Sequence, residues 1–107
     1  MGMTMAAVDL RPRDLESLTA VFRRFPRIRE VLVFGSRANG TAKRASDIDL
    51  AIAAPDATPS EWLELLEALD EAPIIYELDV VRREQLTNER LREKIEREGV
   101  RIYPPAA

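Results

Sequence analysis

Residues 31–53 read VLVFGSRANGTAKRASDIDLAIA, which is two short apolar segments joined by a polar loop. Residues 31–34 form a continuous apolar run of the kind that is buried on both faces of a sheet, so they predict a strand. Residues 47–53 alternate in polarity and predict a second strand. The loop between them, about a dozen residues long, exceeds a tight hairpin, and we expect it to carry function.

The segments around this stretch have the apolar spacing of further helices and strands. In order, the sequence predicts a helix over residues 12–25, a short helix or turn over 37–43, a helix that opens with the capping box Thr58-Pro59-Ser60-Glu61, a strand over 74–81, a helix over 89–98 that Gly99 ends, and a short strand over 100–103. Helices mixed with short strands predict one α/β (α+β) domain over residues 1–107.

The composition excludes several classes of chemistry. The 107 residues include neither Cys nor His. Thiolate nucleophiles, Ser-His-Asp triads, imidazole bases and zinc sites built on Cys or His are therefore excluded. Carboxylates, hydroxyls, basic side chains, backbone amides and a hard metal ion remain as the possible sources of chemistry.

The charge balance and the hydropathy indicate where the protein works. Sixteen basic and nineteen acidic residues give a net charge of -3, so we expect no direct nucleic-acid binding. No apolar run approaches the ~20 residues of a membrane span, and the first residues lack the pattern of a secretory signal. We therefore expect a cytoplasmic protein with no membrane partner. Residues 47–79 contain ten acids and no Lys or Arg, a pattern typical of solvated helix faces.

A Gly-Ser pair follows the first predicted strand and opens the next helix or turn. Glycine at Gly35 lets a ligand approach the backbone closely, and the first N–H groups of a helix point toward anions. The Ser36 hydroxyl adds a donor, and Arg37, Lys43 or Arg44 could add positive charge, with Arg37 favoured because it lies inside the loop. Such a pair usually forms only a turn, but here it also predicts a phosphate-binding loop.

Two carboxylates share one face of the second predicted strand. Side chains two apart on a strand point the same way, so Asp47 and Asp49 lie together while Ile48, Leu50 and Ile52 fill the other face. Two like charges on one face repel each other unless a cation compensates them. One interpretation is a half-exposed strand with polar residues outward. The other is a pair that binds Mg²⁺, a hard ion held by one or two carboxylates plus substrate phosphates.

A third carboxylate lies on the next predicted strand, where Ile75, Glu77, Asp79 and Val81 share one face. Three carboxylates beside a phosphate-binding loop predict a two-metal site for phosphoryl or nucleotidyl transfer, in which Asp79 could act as the base. Glu77 competes with Asp79 for the third position. If the first two strands are antiparallel neighbours, the Gly-Ser pair lies beside Asp47 at one edge of the sheet.

These motifs resemble a known family. The segment Gly35-Ser36-Arg37-Ala38-Asn39-Gly40, followed by Ser46-Asp47-Ile48-Asp49-Leu50, resembles the signature of the polymerase-beta-like nucleotidyltransferase superfamily. The small size resembles its minimal members, the MNT proteins of HEPN–MNT toxin–antitoxin systems. The resemblance covers nearly the whole chain. It implies a short mixed β-sheet flanked by helices.

The resemblance also implies roles for individual residues and a reaction. Gly35 and Ser36 would bind the triphosphate of ATP, Asp47 and Asp49 would bind two Mg²⁺ ions, and Asp79 would be the third carboxylate. Minimal members are commonly paired with a small helical HEPN toxin. They transfer AMP from ATP to a tyrosine of that toxin and so act as the antitoxin of a type VII-like pair.

Two other functions stay open at this point. One is a binding module that neutralises its partner by contact, without turnover. The other is nucleotidyl transfer to a small molecule, which is disfavoured because the chain has no additional domain to bind such an acceptor.

Overall fold

The computed structural model describes residues 8–42 and 46–105, which form a four-stranded sheet between helices. The helices are α1 (Pro12–Phe22), α2 (Ser36–Asn39), α3 (Pro59–Glu71) and α4 (Glu89–Glu98), and the strands are β1 (Glu30–Phe34), β2 (Ile48–Ala53), β3 (Leu78–Arg82) and β4 (Val100–Tyr103). The strand order is β3-β2-β1-β4. β1 runs antiparallel to β2 and β4, whereas β2 and β3 are parallel. The mixed sheet flanked by helices is confirmed.

The two faces of the sheet carry different apolar clusters. On one face, α1 and α3 pack against Val33, Ile48 and Leu50 in the larger cluster. On the other face, Ile95 of α4 packs in a smaller cluster with Ala51 of β2. Asp49, the acidic residue of β2, lies between the core residues Ile48 and Leu50, so it is on the α4 face of the strand. No helix in the described part of the chain is both long and apolar enough to cross a membrane.

The predicted capping box forms at the start of α3. The Thr58 side chain accepts a hydrogen bond from the Glu61 N–H at 3.1 Å, and the Glu61 carboxylate accepts one from the Thr58 N–H at 2.8 Å. Two of the helix's otherwise unpaired N–H groups are thereby satisfied. This local signal fixed the beginning of the helix correctly.

Three of the predicted elements have wrong boundaries. α1 ends at Phe22 rather than at residue 25, because the N–H groups of Arg24 and Phe25 bond three residues back, in a tighter turn. α2 is only Ser36–Asn39, since Gly40 adopts a left-handed conformation with φ 85°. β3 begins at Leu78 rather than at residue 74, since its partner β2 begins opposite it at Ile48.

Gly99 ends α4 as predicted, but without the left-handed backbone that glycines at helix ends often adopt. Its φ is -65° and its ψ is 136°, an extended conformation open to any residue. A Cβ atom there would lie 2.5 Å from the Ile95 carbonyl oxygen and 2.9 Å from Leu32. Close packing of the helix end on β1 therefore requires this glycine.

Candidate active site

Gly35 is packed directly against the carboxylate of Asp49. The antiparallel register sets Phe34, the last residue of β1, opposite Asp49 of β2, so the predicted juxtaposition of the first strand's end with the second strand's start is confirmed. Gly35 has φ 74° and ψ -150°, a conformation that is essentially restricted to glycine. A Cβ atom at this position would lie 2.3 Å from Asp49 Oδ2. Ser36 follows as the first residue of α2.

The three predicted carboxylates interact electrostatically. Asp49 and Asp79 are register partners on parallel strands and therefore share one face of the sheet. Burial raises the pKa of Asp49 above its ordinary value, and the negative charges of Asp79 and Asp47 raise it further. Burial and the neighbouring acids thus both disfavour the ionised form of Asp49.

The donor chemistry suits a hard divalent cation, but the described residues contain no group of three acids placed to hold one. The predicted triple carboxylate cluster is therefore not assembled as a complete ligand set. Mg²⁺ commonly takes one or two carboxylates and completes its shell with water and substrate phosphates. Asp49 with Asp47 or Asp79 fits that pattern, because a cation would relieve the repulsion that raises the pKa of Asp49.

Glu77 and Asp79, the two candidates for the third carboxylate, differ in their position in the structure. Glu77 precedes β3, and its backbone carbonyl accepts a hydrogen bond of 2.9 Å from the Ile48 N–H. Its side chain lines a groove beside α3. Asp79, in contrast, is paired in register with Asp49 and acts on it electrostatically. The position of Asp79 is therefore the better suited to the site.

Lys94 of α4 is a site residue that the sequence analysis did not identify. Its positive charge lowers the pKa of Asp49 and so opposes the effect of the neighbouring acids. It is three residues after Leu91 and directly before Ile95, both of which pack in the cluster on the α4 face. A lysine beside the apolar residues Leu91 and Ile95 was the one feature of the sequence that could have indicated this role. Its relation to Asp49, 45 residues earlier, came only from the fold.

We expect the substitution Lys94→Met to raise the pKa of Asp49 further, because it removes a favourable charge and keeps the aliphatic stem. The measurement is an NMR titration of the Asp49 side-chain carboxyl carbon. Arg90→Met, on an exposed position of the same helix, is the matched control and should leave the titration unchanged. An equal effect of both substitutions, or none for Lys94→Met, would contradict this role.

The sequence suggested that Arg37 adds positive charge to the phosphate-binding loop. In the structure its side chain is instead engaged with the protein backbone. Its side chain is only 5% exposed. Nη1 donates to the Asp9 carbonyl oxygen at 2.8 Å, while Nε and Nη2 donate to the Ser46 carbonyl oxygen at 3.1 and 2.7 Å. The guanidinium also stacks 4.3 Å from the Tyr76 ring centroid. Arg37 therefore anchors the residue that precedes Asp47. Lys43 and Arg44, the other predicted charges, lie outside the described residues.

Arg37→Ala is expected to lower the free energy of unfolding by roughly 2–4 kcal/mol, because it removes the hydrogen bonds from a buried guanidinium to two backbone carbonyls, and hydrogen bonds from a charged group contribute ~1.5–3 kcal/mol each. Arg37→Lys should recover only part of this, since an ammonium cannot bridge both carbonyls in one plane. Urea unfolding gives the comparison. Arg29→Ala removes an exposed arginine paired with Asp56 and should change stability little. A similarly small effect of Arg37→Ala would contradict the anchoring role.

Comparison with known proteins agrees with this geometry. The family model described as "Polymerase beta, Nucleotidyltransferase" matches residues 16–105. No curated protein sequence matches the chain. Among solved structures, one described as a minimal nucleotidyltransferase is 30% identical, with a TM-score of 0.56 and coverage of 92% of this chain and 98% of that one.

Two other solved structures are toxin–antitoxin assemblies. One, described as a toxin–antitoxin with AMP-PNP, is 25% identical with a TM-score of 0.63, and the match covers 84% of this chain and 73% of that one. The other, MntA-HepT, is 19% identical with a TM-score of 0.58, covers 87% and 72% respectively, and supports the fold alone. The residues that match the family model make up most of the chain and include both Gly35 and Asp49. The chain therefore belongs to the polymerase beta nucleotidyltransferase family.

Proposed function

We propose that this protein is a Mg²⁺-dependent nucleotidyltransferase that moves AMP from ATP to a hydroxyl group of a partner toxin and so acts as its antitoxin. The contact between Gly35 and the Asp49 carboxylate carries the proposal, because it brings the predicted phosphate loop against the predicted metal ligand. Family membership and the likeness to toxin–antitoxin structures support it. The proposed partner is a HEPN toxin, the acceptor is a tyrosine, and the reaction takes place in the cytoplasm.

The site residues divide the reaction between them. Gly35 and Ser36 bind the phosphates through backbone N–H groups and the Ser36 hydroxyl. Asp47 and Asp49 would hold two Mg²⁺ ions, with Asp79 as a further ligand. Mg²⁺ held there would neutralise phosphate charge and make the attacking hydroxyl more acidic. Asp79 then accepts the hydroxyl proton at a carboxylate oxygen.

The bond changes are those of an in-line displacement. The acceptor oxygen forms a bond to the α-phosphorus of ATP, and the bond from that phosphorus to the bridging oxygen of the β-phosphate breaks. Pyrophosphate leaves. The positive charge of Lys94 offsets part of the effect that the neighbouring acids have on Asp49.

A second candidate function is neutralisation of the toxin by contact alone. The observation that favours it is that the described residues do not assemble three acids into a ready metal site. In that case the acidic face would bind a ligand without transferring a group.

Co-expression with the neighbouring open reading frame distinguishes the two. The intact mass of the co-purified partner is measured after incubation with ATP and Mg²⁺, and again with a chelator in place of Mg²⁺. A gain of whole AMP units only with Mg²⁺ supports the transferase. A partner of unchanged mass that stays bound and inactive supports neutralisation by contact.

Asp79→Asn is expected to reduce transfer roughly 100-fold or more, since loss of a positioned base commonly costs 10²–10⁴-fold. Glu77→Gln is the matched control, because it removes a carboxylate two residues earlier, just before β3, and should retain most activity. Initial rates of AMP transfer to the partner provide the comparison. A larger loss for Glu77→Gln would reassign the third carboxylate to Glu77.

A further inference from the structure

An open groove of about 520 Å³ runs between α3 and the segment that leads into β3. Leu66 and Leu69 of α3 line one wall, and Ile75 lines the other. Ile75 is 78% exposed, an unusual position for a large apolar side chain. Asp70 and Glu77 also line the groove and give it an acidic rim. The groove therefore combines apolar side chains on its walls with a polar, acidic lining, a surface that suits a partner segment with both apolar and basic residues.

The groove lies along a free sheet edge. β3 is the outer strand of the sheet and pairs only with β2 among the described residues. The Glu77 carbonyl bonds to Ile48 of β2, so the backbone groups of alternate residues from Glu77 onward face β2. The N–H and C=O groups of Leu78 and Val80 therefore point away from the sheet. They are available to an added strand, as in β-augmentation.

One face of β3 borders the groove, and the other carries Asp79. Leu78 and Val80 line the groove and pack toward the cluster of α1 and α3. Asp79 lies between them and shares the opposite face with Asp49. In a strand added to this edge, a residue level with Asp79 would point to the acidic face, and its two neighbours would point into the groove. The groove is thus separate from the nucleotide side of the sheet.

The charge of the groove selects among possible occupants. No Lys or Arg occurs between residues 47 and 79, and the rim residues Asp70 and Glu77 are both acidic. Arg11, which approaches the Tyr76 ring at the end of the groove, is already paired with Asp14. An extended segment that combines apolar residues with Lys or Arg would be complementary to this surface.

We propose that the acceptor protein docks as an extended basic and apolar segment on the free edge of β3, with its hydroxyl-bearing residue level with Asp79 and its apolar neighbours in the groove. Transfer of AMP to this hydroxyl rests on the proposed function, whereas docking of the segment on β3 does not. Docking at this edge would bring an acceptor hydroxyl to the face of the sheet that Asp79 and Asp49 share.

The probe is a blocked seven-residue peptide, Val-Lys-Val-Tyr-Val-Lys-Val, titrated into the ¹⁵N-labelled protein without ATP. We expect amide shifts at Leu78 and Val80 and in the groove. Alternate N–H groups of an added strand face β3, so two peptides are compared, one methylated at the odd-numbered backbone nitrogens and one at the even-numbered. Methylation should abolish binding in one of these peptides and not in the other. An absence of shifts at Leu78 and Val80, or equal binding of both methylated peptides, would overturn the docking mode.

Ile75→Lys is expected to weaken peptide binding at least 10-fold, because it adds a positive charge and removes an apolar contact. The residue is exposed, so the fold should persist. Leu63→Lys is the matched control: Leu63 is a 61% exposed apolar residue of α3 that does not line the groove. Equal weakening by the two substitutions would contradict docking in the groove.

A second readout separates this inference from the proposed function. With ATP and Mg²⁺ added, a gain of one AMP on the peptide tyrosine supports both. Specific binding at β3 without any gain of mass supports the docking mode and contradicts transfer to a hydroxyl at Asp79. Unimpaired AMP transfer to the co-expressed partner by Ile75→Lys supports the transferase and overturns the docking mode.

Discussion

Asp49→Asn is expected to abolish AMP transfer and at the same time to stabilise the metal-free protein at neutral pH. The loss should be roughly 1,000-fold or more, since a metal ligand contributes several kcal/mol to the transition state and each 1.36 kcal/mol is tenfold in rate. The gain in stability follows from electrostatics. The ionised carboxylate is partly buried and is repelled by Asp79 and Asp47, whereas the amide is neutral.

The pH dependence of stability tests the same point. Because the folded state raises the pKa of Asp49, its contribution to stability is present below the ordinary pKa of an aspartate. It is lost as the pH rises through the raised value. We therefore expect the difference in melting temperature between Asp49→Asn and wild type to grow over that interval and then to level off.

Thermal unfolding with and without Mg²⁺ provides the measurement. Mg²⁺ should stabilise the wild type and leave Asp49→Asn unchanged, because the substitution removes the charge that the cation offsets. Asp56→Asn, which changes an exposed aspartate paired with Arg29, is the matched control and should behave like the wild type toward Mg²⁺ and ATP. Transfer at wild-type rates by Asp49→Asn would refute the assignment of the site.

Gly35→Ala has the second large expected effect. The backbone at φ 74° and ψ -150° is open essentially to glycine alone and costs another residue ~1–3 kcal/mol. In addition, the new Cβ atom would lie 2.3 Å from Asp49 Oδ2, so the carboxylate would have to move. We expect at least a ~100-fold loss of transfer, because a displacement of about 1 Å at a reacting centre can cost that much.

Gly40→Ala separates backbone strain from displacement of the carboxylate. Gly40 also has a positive φ, 85°, but a Cβ atom there would meet nothing within 4 Å. It should lose ~1–2 kcal/mol of stability through strain and keep most of its activity. Comparable losses of transfer in Gly35→Ala and Gly40→Ala would contradict the proposed effect on Asp49.

A double-mutant cycle on stability gives an independent test. If the clash involves the carboxylate, Gly35→Ala should cost less in an Asp49→Ala background than in the wild type, whereas Gly40→Ala should cost the same in both. Additive changes for Gly35→Ala with Asp49→Ala would mean that the two residues are not coupled.

The parts of the fold that the sequence predicted well are specified by local chemistry. Thr58 and Glu61 satisfy each other's backbone across one helical turn, so the start of α3 was readable from four residues. The alternation from Asp47 to Ala53 likewise assigned Asp49 and Ile48 to opposite faces, because the strand period is two. The start of β3 was predicted wrongly, at residue 74 instead of Leu78, since strand length depends on where the partner strand begins.

The sequence by itself determined the candidate chemistry: the Gly-Ser loop, the Asp-x-Asp strand, the absence of Cys and His, and the family they resemble. Only the tertiary structure decided which side chains serve that site. Arg37 binds the Ser46 carbonyl, Asp79 rather than Glu77 is the register partner of Asp49, and Lys94 of α4 acts electrostatically on Asp49. The physical reason is that residue type and spacing fix what a side chain can do, whereas hydrogen-bond partners and charge neighbours distant in sequence depend on how the elements pack.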